Sequence, residues 1–379
     1  MKFIHTADWH LGKTLKGASL TDDQAFILEE FFKIVDDEKP QAILLAGDIY
    51  DRGVPPGDAI NLFDEVISKI LERKIFLLAI SGNHDSATRL NFGSNIFKKS
   101  GFFMNAKISV NPEPIILQDE FGEVYFSSIP FFEPNEIQSK ILEENSDVRL
   151  TYDSANKIYI DESRKKIPVG KRSVAIAHVF LTGGVKSDSE RVFVGGTSDV
   201  SAKYFSEYNY TALGHLHKPQ KITAENIRYS GSPLKYSFDE ATHKKSVTLV
   251  ELDGEGKILT KQIPLTPRRD VVVLKNTFEE LMNLPKSQDY IHAELTDKLH
   301  VPNAMDRLRQ NFPNVLSINF VELAKEIGDI PNVREFKEDA SIIEHFAYFF
   351  EQQTNEKFDK DYRETAEKFF AELERENNE

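Results

Sequence analysis

The sequence KFIHTADWH, from Lys2 to His10, alternates apolar and polar residues and ends with an acid and a histidine. Such alternation is typical of a β-strand, so we predict a first strand that presents Asp8 and His10 on one face. Further along the chain, apolar runs of the buried-strand type end in similar side chains. They are QAILLAGD up to Asp48, FLLAISG before Asn83 and His84, SVAIAH up to His178, and YTALGH up to His215, with His217 two residues later. Helical stretches separate several of these strands, which predicts an α/β fold.

All of these polar side chains lie at the carboxyl ends of predicted strands, where open α/β sheets place their binding sites. Each short piece alone has an ordinary explanation: DxH arises by chance, GNHD forms a turn, and GHLH can end a strand. The combination is more specific, since five of the ten histidines in the chain fall at such strand ends. Phosphoester hydrolysis uses two divalent cations about 3.5 to 4 Å apart, bound by carboxylates, imidazoles and a bridging oxygen. The pattern therefore predicts a two-metal phosphoesterase site.

Five longer stretches carry a resemblance to a known family. They are DWHLG from Asp8, GDIYDRG from Gly47, GNHDSATRL from Gly82, SERVFVGG from Ser189 and GSPLKYSF from Gly231. The pieces that carry the candidate ligands resemble the calcineurin-like metallophosphoesterases, and all five stretches resemble the SbcD-type nucleases of that superfamily. The last two stretches make the resemblance specific, because they are not part of the general phosphatase pattern. The resemblance is strong from Met1 to about Pro264. It implies an α/β sandwich of two sheets flanked by helices, a small α+β capping domain and a C-terminal helical hairpin.

The resemblance also implies a role for each candidate residue. Asp48 would bridge two ions, with Asp8, His10 and His217 completing the first site and Asn83, His178 and His215 completing the second. His84 follows a ligand directly and would protonate the leaving oxygen, and Asp51 would orient it. Arg52 would steer the phosphate, although a surface ion pair explains this arginine almost equally well.

Oxygen donors mixed with imidazole suit two Mn²⁺ ions, with Mg²⁺ or another divalent ion as the alternative. The resemblance implies a DNA exonuclease and endonuclease that cleaves phosphodiester bonds at ends and hairpins in repair and recombination. It further implies a homodimer within a heterotetramer, where an SbcC-like ATPase makes the action ATP-dependent. Phe92, Ile96 and Phe97 are candidates for an apolar dimer seam, although burial in the core would also explain them.

The composition favours a cytoplasmic enzyme with no membrane partner. The chain of 379 residues contains no cysteine, so we expect a reducing compartment and no thiolate ligands. It opens directly in a strand and has no apolar run of membrane-spanning length, so we expect neither export nor membrane insertion. The net charge is −14, of which 6 basic and 13 acidic residues in 336–379 contribute −7. Acidic chains bind DNA poorly in general, and the DNA expectation therefore rests on the resemblance.

We predict three domains: a metallophosphoesterase nuclease domain at 1–265, an α+β capping domain at 270–335 and an acidic helical tail at 339–379. Helices are predicted from Asp22 to Asp37 and from Asp58 to Arg73, and TPRRD marks the first boundary. The segment from Phe132 to Arg172 is weakly periodic, and we interpret it as a helical excursion or insertion. In the tail, one helical face carries Ile342, Phe346, Phe349 and Phe350, and another carries Tyr362, Ala366, Phe369, Phe370 and Leu373. This hairpin either packs on the capping domain or binds the ATPase.

Two other functions remain open from the sequence. A phosphomonoesterase, in particular a protein phosphatase, is the main alternative, because GDIYDRG and GNHD also resemble that class. The opening DWHLG and the extra C-terminal segments favour the nuclease instead. A non-catalytic scaffold would predict broken metal ligands, and every expected ligand is present.

Overall fold

A computed structural model of the chain describes residues 1–142, 150–190, 199–322, 342–354, 357–360, 362–363, 365–367 and 369–370. By its contacts the chain divides into two units. One joins Met1–Glu294 with Asn303–Ile318, and the other joins Leu295–Pro302 with Asn319–Glu379.

Within the described residues, the first of two large sheets has six strands with a parallel centre. In spatial order they are β14 (Ile258–Pro264), β13 (Ser246–Leu252), β1 (Lys2–Thr6), β4 (Ala42–Ala46), β5 (Phe76–Ile80) and β6 (Phe102–Asn105). Strands β1, β4, β5 and β6 run parallel, whereas β13 and β14 form an antiparallel hairpin at one edge. Parallel strands covered on both faces need continuous apolar runs, and β4, with the sequence AILLA, is buried along its whole length.

The second large sheet, again counted over the described part of the chain, repeats this plan. Its order is β11 (Gln220–Ile222), β12 (Ala224–Tyr229), β10 (Tyr210–Gly214), β9 (Arg172–His178), β8 (Gly122–Ile129) and β7 (Ile115–Asp119). The four central strands are parallel, and each edge strand is antiparallel to its neighbour. A bidentate ion pair between Arg172 and Asp119 is buried in this sheet, with Nη1 2.9 Å from Oδ2.

The two sheets pack face to face through large apolar side chains. Phe3 of β1 makes edge-on contacts with Phe126 and Tyr210 of the second sheet, at centroid distances of 6.1 and 5.8 Å. His5 is also buried between the sheets, where its ring binds the hydroxyl of Tyr210 at 2.9 Å and the carbonyl of Leu213 at 3.1 Å. This histidine therefore has a structural role, and the sandwich brings the carboxyl ends of both parallel sets to one edge.

Helices cover the outer faces. Up to β9 they are α1 (Thr21–Glu38), α2 (Gly57–Glu72), α3 (Ala87–Leu90), α4 (Ser94–Phe97), α5 (Pro134–Lys140) and α6 (Tyr152–Lys165). Phe31 of α1 and Phe63 of α2 are buried with Ile43 in the core outside the first sheet. A two-stranded hairpin, β2 (Thr14–Leu15) and β3 (Ala18–Ser19), lies before α1. The predicted sandwich and its two long helices are confirmed.

The segment from Phe132 to Arg172 contributes one face of helix α6 to the core. Tyr159 and Ile160 of α6 are 2% and 1% exposed and pack with Ala175 of β9 in the core outside the second sheet. Helix α6 begins at a capping box, in which the Thr151 side chain accepts from the backbone N–H of Ser154. The predicted helices are found as α5 and α6, and α6 packs in the core. Residues 143–149 lie outside the described part.

Beyond Asp270 the structure has the α+β content predicted for the capping domain. Strands β15 (Val271–Asn276), β16 (Tyr290–Leu295) and β17 (Val315–Phe320) form a sheet in that order, with α7 (Phe278–Met282) and α8 (Ala304–Leu308) between them. The carboxylate of Asp23 in α1 accepts hydrogen bonds from Arg269 Nε at 2.9 Å and from the hydroxyl of Tyr290 at 2.7 Å. The division into units does not follow the predicted boundaries near 270 and 335, which stay predictions.

In the acidic tail, α9 spans Ile342–Thr354, and residues 360, 362–363, 365–367 and 369–370 are also helical. Phe350 stands 4.5 Å from Tyr362 and 5.5 Å from Phe358 between ring centroids, and Phe346 stands 5.5 Å from Phe370. The two aromatic faces of the tail therefore contact each other, as in a helical hairpin. Residues 339–341, 355–356 and 371–379, with Leu373, lie outside the described residues. None of the described helices is long and apolar enough to span a membrane.

Candidate metal centre

Seven predicted ligands come together at the edge where the carboxyl ends of both sheets meet. Two clusters of potential ligand atoms, each within 4.8 Å, are His10 with Asp48 and His84, and Asp8 with Asp48 and His178. Asp48 is common to both clusters. Its Oδ2 lies 3.6 Å from His10 Nε2 and 3.4 Å from His178 Nε2. One carboxylate therefore lies between two halves of the site, a first half with His10 and His217 and a second half with Asn83, His178 and His215.

Asp8 and His10 do not lie on the first strand, so the predicted alternation of faces is wrong for them. Strand β1 ends at Thr6, and the backbone N–H groups of Asp8 and His10 bind the carbonyls of Gly47 and Asp48, each at 3.0 Å. A left-handed backbone aims these side chains inward. The φ angle is 55° at Asp8, 45° at His10, 48° at Asp48 and 106° at His215. Such strained conformations concentrate at functional sites.

The second half of the site is built around Asn83. Its Oδ1 lies 2.9 Å from His178 Nε2 and 3.0 Å from His215 Nδ1. His178 binds the carbonyl of Ala46 through Nδ1 at 2.9 Å, which places the proton on Nδ1 and leaves Nε2 as the lone-pair donor. The His178 ring can lie this close to the backbone only because residue 47 is a glycine, at φ 86°; a Cβ there would collide with the ring.

These side chains fit a pair of cations. In the first half, the Nε2 atoms of His10 and His217 face each other at 3.1 Å. Asp8 Oδ2 is buried and has no hydrogen-bond partner among the described residues. Buried polar atoms are normally satisfied, and converging lone pairs around an unpaired carboxylate oxygen match the coordination shell of a divalent ion. Asp48 would bridge, with His10 and His217 on one ion and Asn83, His178 and His215 on the other. Asp8, which the sequence assigns to the first ion, also has a ligand atom within 4.8 Å of Asp48 and His178, so the structure does not separate it from the second.

The electrostatics also suit a cation. Burial lowers the pKa of His10 to about 3, so its ring is neutral, the form that binds metals. Burial raises the pKa of Asp8 to about 7. Burial would also raise the pKa of Asp48, but His178 and His10 hold it well below its ordinary value. A bound ion would stabilise the charged form of both carboxylates.

The three predicted catalytic residues, His84, Asp51 and Arg52, differ in how they relate to the metal centre. His84 Nδ1 lies 2.9 Å from the main-chain carbonyl of Asp51, which leaves Nε2 for the site. The carboxylate of Asp51 binds Lys13 Nζ at 2.7 Å and lies 3.6 Å from His10 Nδ1. Asp51 therefore orients His84 through its backbone, and its side chain serves another part of the site. Arg52 is exposed at the rim.

Several site residues were missed by the sequence reasoning. Asp85 accepts hydrogen bonds from the backbone N–H groups of Ile49, Tyr50 and Gly82, at 3.1, 3.0 and 2.9 Å, and so joins the two loops that carry ligands. Its only signal is its place in GNHD. Four more polar side chains surround His217: Ser189, Glu190, Glu240 and Lys245. Of these, Ser189 and Glu190 lie in the SERVFVGG motif, whereas Glu240 and Lys245 lie in no motif named above.

Two family models match the chain. The one described as calcineurin-like phosphoesterase matches residues 1–219. The other, described as type 5 capsule protein repressor C-terminal domain, matches residues 267–354. The first match includes all seven candidate ligands, and the second covers β15 to β17 and α9.

Curated relatives match along most of the chain. A protein from Staphylococcus epidermidis, named as the SbcD subunit of the nuclease SbcCD, is 33% identical over 352 residues, which are 91% of this chain and 92% of that protein. A protein of the same name from Staphylococcus saprophyticus is 36% identical over 324 residues, 84% of each chain. The similarity therefore runs well beyond the metal centre.

Solved structures give a weaker likeness. A dimetal phosphatase from Danio rerio is 12% identical and covers 69% of this chain and 98% of its own, with a TM-score of 0.40. A structure described as a novel archaeal phosphodiesterase is 14% identical and covers 70% and 100%, with a TM-score of 0.30. On the family match and the two curated relatives, the chain belongs to the calcineurin-like phosphoesterases and, within them, to the SbcD family of nuclease subunits.

Proposed function

We propose that the chain is a DNA nuclease, with exonuclease and endonuclease activity, that hydrolyses phosphodiester bonds with two Mn²⁺ ions. The observation that carries the proposal is the pair of ligand clusters that share Asp48. Two divalent ions held there would bind the scissile phosphate and activate the attacking water. The names of the two relatives, which match 91% and 84% of this chain, support DNA as the substrate.

The residues of the chain prepare the cleft for this reaction. The ring nitrogens of His178 and His217 that face away from the cleft are hydrogen-bonded, and this fixes the orientation of both rings. His84 is oriented by Asp51, and its Nε2, when protonated, would donate to the leaving oxygen. His84 also lies beside His10, at 4.7 Å between ring centroids, so the acid stands next to the first metal ligand set.

A substrate panel tests the activity. The purified chain is offered end-labelled single-stranded DNA, linear duplex DNA and an aryl phosphate monoester, each with Mn²⁺, Mg²⁺, Zn²⁺ or EDTA. We expect manganese-dependent DNA cleavage, little monoester hydrolysis and no cleavage in EDTA. Efficient monoester hydrolysis without DNA cleavage would establish the phosphomonoesterase instead, and inactivity on every substrate would favour a scaffold.

For the partner, we propose that the acidic tail binds an SbcC-like ATPase. Phe350, Phe358 and Phe370 are half-buried in the ring contacts of the tail. Phe346 and Tyr362 lie at the edge of these contacts and are 37% and 42% exposed, whereas Phe349 and Phe369 are 60% and 58% exposed. Exposed aromatic side chains on a helix are typical of helix-in-groove docking. A cytoplasmic location follows from the same proposal, since the partner and the DNA are there.

Removal of the tail is expected to abolish binding of the ATPase partner while DNA cleavage by the chain itself is retained. Deleting 339–379 should leave manganese-dependent cleavage of single-stranded DNA nearly unchanged and abolish co-purification with the ATPase and ATP-dependent action on duplex DNA. Phe349→Ala with Phe369→Ala should also abolish co-purification, because these two rings are exposed. Loss of the partner-independent activity on deletion would show that the tail belongs to the core of the enzyme.

We also propose a homodimer, formed through the apolar segment 92–97, which follows the loop that carries Asn83 and His84. Phe92, Ile96 and Phe97 are 84%, 72% and 42% exposed, so the alternative of core burial is wrong. Phe92 and Phe97 line a cavity of about 300 Å³ together with Val54 and Ile60, which are 66% and 46% exposed. A continuous exposed apolar patch of this kind marks interaction surfaces.

The dimer is tested by light scattering at micromolar concentration. We expect a dimeric mass for the wild-type chain and a monomeric mass for Phe92→Glu with Ile96→Glu, because two charges would be buried unpaired in the interface. Val169→Glu is the matched control, since Val169 is a fully exposed valine outside this patch. A monomeric wild-type chain would contradict the proposal.

A further inference from the structure

Glu240 is a fully buried carboxylate in contact with a predicted metal ligand. It is 0% exposed, and its Oε1 lies 3.1 Å from His217 Nδ1. Ser189 Oγ lies 2.7 Å from the same nitrogen and donates its proton to Glu240 Oε1 at 2.5 Å. Since the single proton of Ser189 goes to the carboxylate, His217 Nδ1 must donate in both of its contacts. The lone pair of His217 is therefore on Nε2, the atom that faces His10.

Lys245 holds Glu240 in place from the opposite side. Its Nζ lies 2.5 Å from Glu240 Oε2, and it also donates to the carbonyl of His217 at 2.8 Å and to Ser232 Oγ at 2.8 Å. The side chain of Lys245 is 4% exposed. One ammonium thus fixes both the carboxylate that binds the His217 ring and the backbone that carries it.

Glu190 fixes the same ligand from a third direction. Its Oε1 accepts the backbone N–H of His217 at 2.6 Å, and its Oε2 accepts the N–H of Ser187 at 2.9 Å. Glu190 is 6% exposed. Ser189 and Glu190 belong to SERVFVGG, one of the two stretches that set this chain apart from general phosphoesterases, and neither residue has a role in the chemistry proposed above.

The two halves of the metal centre are supported in different ways. The His178 ring in the second half is oriented by a main-chain carbonyl, that of Ala46. The His217 ring in the first half depends on two side chains, one of them charged, and a third and fourth side chain hold its backbone. Partners of this kind set the tautomer and direction of a metal-binding histidine, and their loss weakens metal affinity by about 10- to 100-fold.

We propose that Ser189, Glu190, Glu240 and Lys245 are positioning residues that hold His217 in its metal-binding tautomer and direction. Affinity at the first metal site therefore depends on them, and affinity at the second does not. The inference rests on the proposed two-metal function. It assigns to Ser189 and Glu190, the two residues of SERVFVGG that lie in the described part of the chain, the task of supporting the first site from outside the ligand set.

The test measures Mn²⁺ binding to the full-length chain by titration calorimetry and by the electron paramagnetic resonance signal of unbound Mn²⁺. The main variant is Glu240→Leu with Lys245→Met, because exchange of a buried ion pair for apolar residues of similar size usually preserves the fold. The control is Asp119→Leu with Arg172→Met, a second buried ion pair that lies outside the metal centre and in which Asp119 also binds the N-terminal ammonium at 2.7 Å. Ser189→Ala tests the ring contact alone.

We expect two Mn²⁺ sites in the wild-type chain and in the control. In the Glu240/Lys245 variant one site should weaken by about 10- to 100-fold while the other stays within about threefold. Ser189→Ala should weaken the same site to a smaller degree. Equal weakening of both sites, or a variant that does not fold although the control does, would show a structural role and overturn the inference.

Two further outcomes separate this inference from the proposed function. If the wild-type chain binds two Mn²⁺ and cleaves DNA, but the Glu240/Lys245 variant keeps both affinities, the inference fails and the function stands. If the wild-type chain binds two Mn²⁺ without cleaving DNA, and the variant loses one site, the proposed function fails and the inference stands.

Discussion

Asp48→Ala is expected to abolish phosphodiester hydrolysis and to remove most of the bound Mn²⁺ while the fold survives. Asp48 belongs to both ligand clusters, and its Oδ2 lies within 3.6 Å of an imidazole from each half of the site. Without it neither ion keeps a full set of ligands, and nothing holds the two at the short separation that the reaction needs. The loop itself should persist, because Asp85 binds the backbone of the next two residues, Ile49 and Tyr50.

Three measurements check this result: hydrolysis of single-stranded DNA, bound manganese by mass spectrometry, and the thermal unfolding midpoint without metal. Asp119→Asn is the control, since it also removes a buried carboxylate and both partners of Asp119, Arg172 and the N-terminal ammonium, lie outside the metal centre. The control should lose stability but keep its metal and its activity. If Asp48→Ala keeps activity within about tenfold of wild type, equivalent to about 1.4 kcal/mol of transition-state stabilisation, the bridging role is refuted.

The sequence predicted the strands of the site well because their signal is local. Continuous apolar runs such as AILLA at Ala42–Ala46 are typical of buried parallel strands, and the sandwich has this strand at its centre. The position of the candidate ligands follows from the rule that open α/β sheets place their binding sites at the carboxyl ends of the strands. The sequence could not show how Asp8 and His10 are aimed, because their left-handed backbone depends on hydrogen bonds to Gly47 and Asp48, about forty residues away.

The support around His217 was not predictable for a related reason. Ser189 lies 51 residues before Glu240 in the chain and meets Glu240 and Lys245 only when the protein folds. A buried Lys or Glu has no local sequence pattern, since its neighbours in space decide whether it is buried. The dimer seam shows the reverse case. Phe92 and Ile96 look like core residues in the sequence, and only the structure shows that they are exposed.

His84→Ala is expected to leave both metals and DNA affinity near normal and to lower turnover by roughly 10² to 10⁴, the usual contribution of a general acid. The backbone N–H of His84 donates to Asp48 Oδ1 at 2.8 Å, and this bond does not involve the side chain. The alanine variant therefore keeps Asp48 in position and removes only the imidazole. That imidazole is oriented by the carbonyl of Asp51, so no other group should compensate for its loss.

The role of His84 as an acid, and not as a ligand, is tested with two leaving groups. A nucleotide aryl ester with a nitrophenolate leaving group needs no proton, whereas the alkoxide released from DNA does. We expect the loss of turnover in His84→Ala to be large on DNA and to shrink strongly on the aryl ester. An equal loss on both substrates would refute the acid role. Loss of one Mn²⁺ would identify His84 as a ligand, since it lies in the same cluster as His10 and Asp48.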